Sequence, residues 1–213
     1  MNISLQGSID MTNRQIIAIL TPPVLVAVMI PVFRILVKNI PTNWRVGWAL
    51  GLASYWIVWC GIGSWLLIGK ENILQLIQPQ RVTLQIFGLV LIPIIGAALY
   101  RLVPGMAYDK PVLWIILILI MTSFGNGFFE ELLWRGVYLE LFPKSIMWGM
   151  IWPTVWFALW HYAPGSIAPE GKPWGLMIGS GLMGFYLSFL SRKTGTIWWT
   201  ILMHTIGGII MIA

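Results

Sequence analysis

The sequence predicts an all-α, polytopic transmembrane bundle of about seven helices, each crossing taking roughly 20 residues. Composition is the first reason. Of 213 residues, 58% are hydrophobic and 9% charged, whereas soluble domains carry about 25% charged residues. So few charges leave most of the surface in lipid, as does the mean hydropathy of +0.83. The second reason is pattern: long apolar stretches recur along the chain, set apart by charged or turn residues. Six or seven such helices use about 120–140 residues, which leaves one membrane domain over 1–213 and no separate soluble domain. These observations exclude an ordinary cytosolic domain, a disordered tail and a secreted disulfide scaffold.

The first apolar stretch, Ile16 to Phe33, follows a polar start. It lacks a strongly basic lead-in and a small-residue cleavage site, and so reads as a retained helix and not a cleaved signal peptide. Pro22, Pro23 and Pro31 are expected to kink it, which membranes tolerate when neighbours satisfy the freed carbonyls. The second stretch is Val46 to Gly69, and the third Val82 to Tyr100 with Pro93 inside. The fourth starts near Pro111 and continues past Glu130 and Glu131 to about Leu141, where Pro143 stops it. The fifth is Ile146 to His161, with Pro153 inside. A Pro/Gly-rich loop, 162–173, follows and is expected to gate substrate access. The sixth stretch is Trp174 to Leu190, and the seventh starts at Thr196. Trp44, Trp48, Trp148, Trp152, Trp198 and Trp199 suit interfacial belts. Gly175, Gly179, Ser180 and Gly184 form a small-residue packing face. No repeat is visible, and the basic residues divide evenly between the two sides, so orientation is undecided.

The net charge is +6 and the pI about 9.7. No basic run exceeds Arg192-Lys193, so the partner is anionic lipid and not nucleic acid. Cys60 is alone and can form neither an intrachain disulfide nor a cysteine zinc site. It reads as a small buried hydrophobe.

Ionisable side chains inside a bilayer are costly and therefore candidates for function. The clearest are Glu130, Glu131, Arg135, His161 and His204. On an α-helix Glu131 and Arg135 share a face, with the acid N-terminal to the base, so Arg135 neutralises Glu131. Glu130 points about 100° away and is left free to bind a proton or polarise water. The plain alternative is a structural ion pair beside an interfacial acid. Phe157 and His161 share a face at the end of the fifth stretch, and His204 lies well inside the seventh. One Glu and two His suit a water-activating hydrolase. The same three could hold zinc with an open fourth position. No His-Glu-x-x-His or Gly-x-Gly-Asp motif is present. Gly179-Ser180-Gly181 with His204 is a poor serine–histidine dyad, because Ile178 stands where a rhomboid-type Gly-x-Ser-Gly needs glycine.

Glu130-Glu131-x-x-x-Arg135, Phe157-x-x-x-His161 and His204, in that order on apolar segments, resemble the three motifs of the CAAX protease and bacteriocin-processing family of intramembrane endopeptidases. The resemblance covers about 111–213. It implies a core of antiparallel helices around a polar cavity in an integral, multi-pass protein of the bacterial cell membrane. The substrate would be a membrane-associated peptide or a lipidated protein tail. Glu130 and His161 would activate water, His204 would stabilise the oxyanion, and Glu131, Arg135 and Phe157 would support them. The resemblance fits either a metal-free glutamate mechanism, with no cofactor, or zinc held by Glu130, His161 and His204. One position departs from the family: its usual His-x-x-x-Asn here ends in Gly208, which has no side chain to donate. Asn126, on the Glu130 face, is the expected substitute. A non-catalytic member acting in bacteriocin immunity or partner binding is the alternative, and reduced activity lies between.

Overall fold

The computed structural model describes residues 11–40, 43–81, 83–101, 113–167 and 173–212. Among these residues the chain is helical and forms no strand. Seven helices follow in order: α1 (Asn13–Asn39), α2 (Trp44–Leu76), α3 (Leu84–Arg101), α4 (from Leu113 to Leu141), α5 (from Met147 to Trp160), α6 (Pro173–Thr194) and α7 (Trp198–Ile212). A single turn, Tyr162–Gly165, follows α5. α1, α2, α6 and the Ile116–Leu141 part of α4 are long and apolar enough to cross a membrane. α3 and α7 carry shorter apolar stretches, Leu84–Leu99 and Trp198–Ile210. Leu20, Leu66, Ile92, Met121, Ile178 and Leu182 point outward, as they do when lipid and not protein is the neighbour. Residues 168–172 of the expected gating loop lie outside the described residues.

Helices run past the ends read from the sequence, α1 beyond Phe33 to Asn39 and α2 beyond Gly69 to Leu76, and several boundaries and breaks have a local cause. Thr12 caps α1, its hydroxyl accepting from the Gln15 backbone while Gln15 reaches back to the Thr12 amide; this is a capping box. Gly69 breaks the regularity of α2 at φ 79°, a conformation that favours glycine. Gly195, at φ 69°, ends α6, and Thr196 then ties the α6–α7 turn to α2 through the Leu76 and Gln78 carbonyls.

α1 runs unbroken through its three prolines. A proline leaves the carbonyl four residues earlier without its helical donor. The Ala18 carbonyl, freed by Pro22, accepts from Tyr138 Oη at 2.7 Å. The Ile19 carbonyl, freed by Pro23, accepts from Trp152 Nε1 at 3.2 Å. In α3 the Leu89 carbonyl, freed by Pro93, accepts from Tyr186 Oη at 2.6 Å. Aromatic donors from other helices thus satisfy groups that lipid cannot.

α1 packs on the start of α2 and on α5; α5 packs on α6; α7 lies against α3 and α4. Small residues allow the close approaches. A Cβ on Gly51 would strike the Phe33 ring at 2.6 Å. The Gly184 position lies against Phe157 and Arg135, and Ser180 is buried with it. A Cβ on Gly175 or Gly179 would meet no described residue within 4 Å, so among the described residues only half of the expected small-residue face is used. The core gathers Leu25, Phe33, Tyr55, Trp134, Phe157 and Trp160. Cys60 is fully buried. Trp148 and Trp152 pack against the core edge to face, 5.4 Å apart.

Candidate active site

α4 carries the acidic motif, and its backbone there is not a plain α-helix. Asn126–Glu130 and Leu132–Val137 are wide, π-type turns. The facing part of α2, Tyr55–Gly63, is also wide and packs against both segments. A wide turn holds more than 3.6 residues, so successive side chains diverge less than on an α-helix. Glu130 and Glu131 accordingly both turn inward, 1% and 0% exposed. The sequence-based expectation that Glu130 diverges from Glu131 and lacks a partner rested on α geometry. Single wide turns of this kind cluster at functional sites.

The four charged or chargeable groups form one buried cluster. Arg135 Nη1 is 3.0 Å from Glu131 Oε1, and the guanidinium lies on the Phe157 ring at 4.2 Å. His204 Nδ1 donates to the same Glu131 oxygen at 2.8 Å. His204 Nε2 is then directed at Glu130 Oε2, 3.9 Å away. That span is too long for a direct hydrogen bond and suits one oxygen between the two atoms. Trp160 Nε1 donates to the other Glu130 oxygen, Oε1, at 3.1 Å. Glu130 Oε2 is buried and has no hydrogen-bond partner among the described residues. The two carboxylates are balanced by Arg135 and, when it carries a proton, by His204.

His161, at the end of α5, is buried. Its Nδ1 lies 2.7 Å from the Phe157 carbonyl. A carbonyl only accepts, so Nδ1 carries the hydrogen and Nε2 the lone pair. The ring meets Phe157 edge to face at 4.6 Å, and Phe157 faces His204 at 6.5 Å. Phe157 thus sits between the two histidines. No hydrogen bond or ion pair among the described residues joins His161 to Glu130. Nor are three His, Cys, Asp or Glu side chains among the described residues grouped to hold a metal ion. Among the described residues the Glu130, His161 and His204 set that zinc would need is not assembled.

Asn126 lies one wide turn before Glu130. Its Oδ1 accepts from Trp56 Nε1 at 3.1 Å, which turns the Nδ2 hydrogens away from that indole. α7 docks on α4 through two small-residue contacts. Gly127 meets Thr205, and a Cβ on Gly208 would lie 2.8 Å from Ser123 Oγ. These contacts bring His204 up to Glu131. They also show that the space beyond Gly208 is filled by Ser123, so a longer side chain there requires a shift of α4 or α7.

Trp160, Tyr55 and Trp56 belong to this site and were not singled out from the sequence. A signal existed: a buried Trp needs an acceptor for its N–H, and Trp160 directly precedes His161. Only the packing of α5 and α2 on α4 reveals which acceptor each indole finds.

Residues 112–210 match the sequence model of a family described as type II CAAX prenyl endopeptidase, Rce1-like. No curated protein and no solved structure matches the chain.

Proposed function

From the match of residues 112–210 to the Rce1-like model of type II CAAX prenyl endopeptidases, we propose that the chain is a member of that family and an intramembrane protease using Glu130 as its general base. The observation that carries this reading is Glu130 Oε2, which has no hydrogen-bond partner among the described residues and lies 3.9 Å from His204 Nε2. A buried cluster of this kind is stabilised when its net charge is zero. With Glu131 ionised and Arg135 cationic, the Glu130–His204 pair holds one proton between them.

A water beside Glu130 Oε2 gives its proton to that carboxylate while its oxygen attacks the carbonyl carbon of the scissile peptide bond. The oxyanion accepts from His204 Nε2–H, and Glu131 stabilises the imidazolium through Nδ1. Glu130 then passes its proton to the leaving nitrogen, and the C–N bond breaks. His161 Nε2, its tautomer fixed by the Phe157 carbonyl, is the proposed acceptor for the second hydrogen of the water. Asn126 Nδ2 is the proposed second oxyanion donor in place of a side chain at 208. Asn126→Ala is then expected to lower kcat by about 10²–10³, the usual loss for one such donor; unchanged proteolysis removes Asn126 from the mechanism.

The proposed substrate is a membrane-associated peptide or lipidated tail, cut in a bacterial cell membrane. The full chain in proteoliposomes is offered a farnesylated peptide ending in a CaaX sequence and the same peptide without the lipid. Mass spectrometry of the released fragments is expected to show cleavage within the CaaX tail. Neither peptide being cut by folded protein refutes a CAAX-type substrate. The alternative, a non-catalytic immunity or partner-binding protein, drew on Gly208. Its contact with Ser123 gives the glycine a packing role that needs no loss of catalysis.

A further inference from the structure

Trp160 is fully buried and gives its one hydrogen-bond donor to Glu130 Oε1 at 3.1 Å. The indole is itself held from outside the family-matched segment. Tyr55 of α2 stacks on it with centroids 3.8 Å apart and planes 26° apart. Phe33 of α1 meets it at 5.9 Å. Tyr55 is fixed in turn, because its hydroxyl accepts from Trp134 Nε1 at 2.7 Å. Trp134 rests edge to face on Phe157, the ring under Arg135. A run of contacts from Phe157 through Trp134 and Tyr55 to Trp160 therefore backs the indole that holds one Glu130 oxygen, and the other, Oε2, lies 3.9 Å from His204 Nε2.

We propose that Trp160 is a positioning residue for Glu130, clamped by Tyr55, so that the N-terminal half of the chain sets the aim of a carboxylate carried by the C-terminal half. A carboxylate on a flexible side chain can rotate and exchange its two oxygens. The indole N–H, held by rings from two other helices, removes that freedom and directs Oε2 at the reacting water. This rests on the proposed role of Glu130, but the bond itself is testable without any substrate.

The indole ¹⁵N–¹H spectrum of the full chain in detergent micelles contains signals from 14 Trp residues. Trp160→Phe removes one of them and so assigns it; Trp160→Tyr serves if the Phe variant does not fold. In Glu130→Ala, which removes the acceptor, that signal is expected to move more than any other indole signal. In Tyr55→Leu, which removes the stacked ring, it is expected to move as well. An unmoved Trp160 signal in Glu130→Ala overturns the inference. In turnover, Trp160→Phe and Tyr55→Leu are each expected to lower kcat about 10–100-fold with KM unchanged, as for loss of a hydrogen bond to a charged group. Loss through KM alone also overturns it. A moved signal in a protein that cleaves no peptide leaves the bond standing and removes the protease reading. Cleavage with an unmoved signal does the reverse.

Discussion

Replacing Glu130 by Gln is expected to stop cleavage, with kcat falling by about 10²–10⁴, the range for removing a general base. Gln keeps an oxygen that can accept from Trp160 Nε1, and its volume matches that of Glu, so the packing around it is retained. What it loses is the ability to take a proton from water and return it to the leaving nitrogen. The measurement is the initial rate in proteoliposomes at equal protein content, with the thermal midpoint as the control for folding. Glu130→Ala is expected to be inactive too, but it also orphans the Trp160 N–H and lowers the midpoint. Wild-type rates in a folded Gln variant would assign the base elsewhere.

Replacing Arg135 by Met is expected to have the largest effect on stability. The guanidinium is 2% exposed and sits between Glu131 and the Phe157 ring. Met restores the contact with the ring but leaves the Glu131 carboxylate buried without its main counter-charge. Breaking a buried pair from one side costs about 3–5 kcal/mol. Denaturant unfolding in detergent would report the change. The double variant Glu131→Gln/Arg135→Met, which removes both charges, is expected to recover much of it. A single variant as stable as the wild type would show that His204 alone holds Glu131.

The helices were legible in the sequence because lipid imposes a simple rule, that an uncharged run of sufficient length is a segment; their ends were less so, since α1 and α2 continue past the flanking charges. The buried cluster of ionisable residues was legible for the same reason, since few such residues fall inside those runs. The wide turns of α4 were not, because an extra residue per turn leaves the hydropathy of Asn126–Val137 unchanged. Without them Glu130 was placed on a different face from Glu131. Likewise, the indole of Trp160 could not be assigned to Glu130, nor Ser123 to the space beside Gly208, because both contacts join residues far apart in the chain. Periodicity describes each helix alone, whereas these contacts depend on rotation and offset between helices.

The proline-freed carbonyls of α1 and α3 bear on that rotation and offset. Apolar contact between helices in a bilayer discriminates poorly between registers, since lipid tails and leucines are alike as neighbours. An exposed carbonyl is different, because it has no partner in hydrocarbon and one fixed position along its helix. Ala18 and Ile19 offer two adjacent acceptors, and they are met by donors on two different helices, Tyr138 of α4 and Trp152 of α5. A slide of one residue, or a half-turn about the axis, breaks both bonds at once. Leu89 and Tyr186 provide a third such lock between α3 and α6. Three prolines, Pro22, Pro23 and Pro93, thus fix the register of the helices beside them, because the docking seen here is the one that satisfies the carbonyls they free.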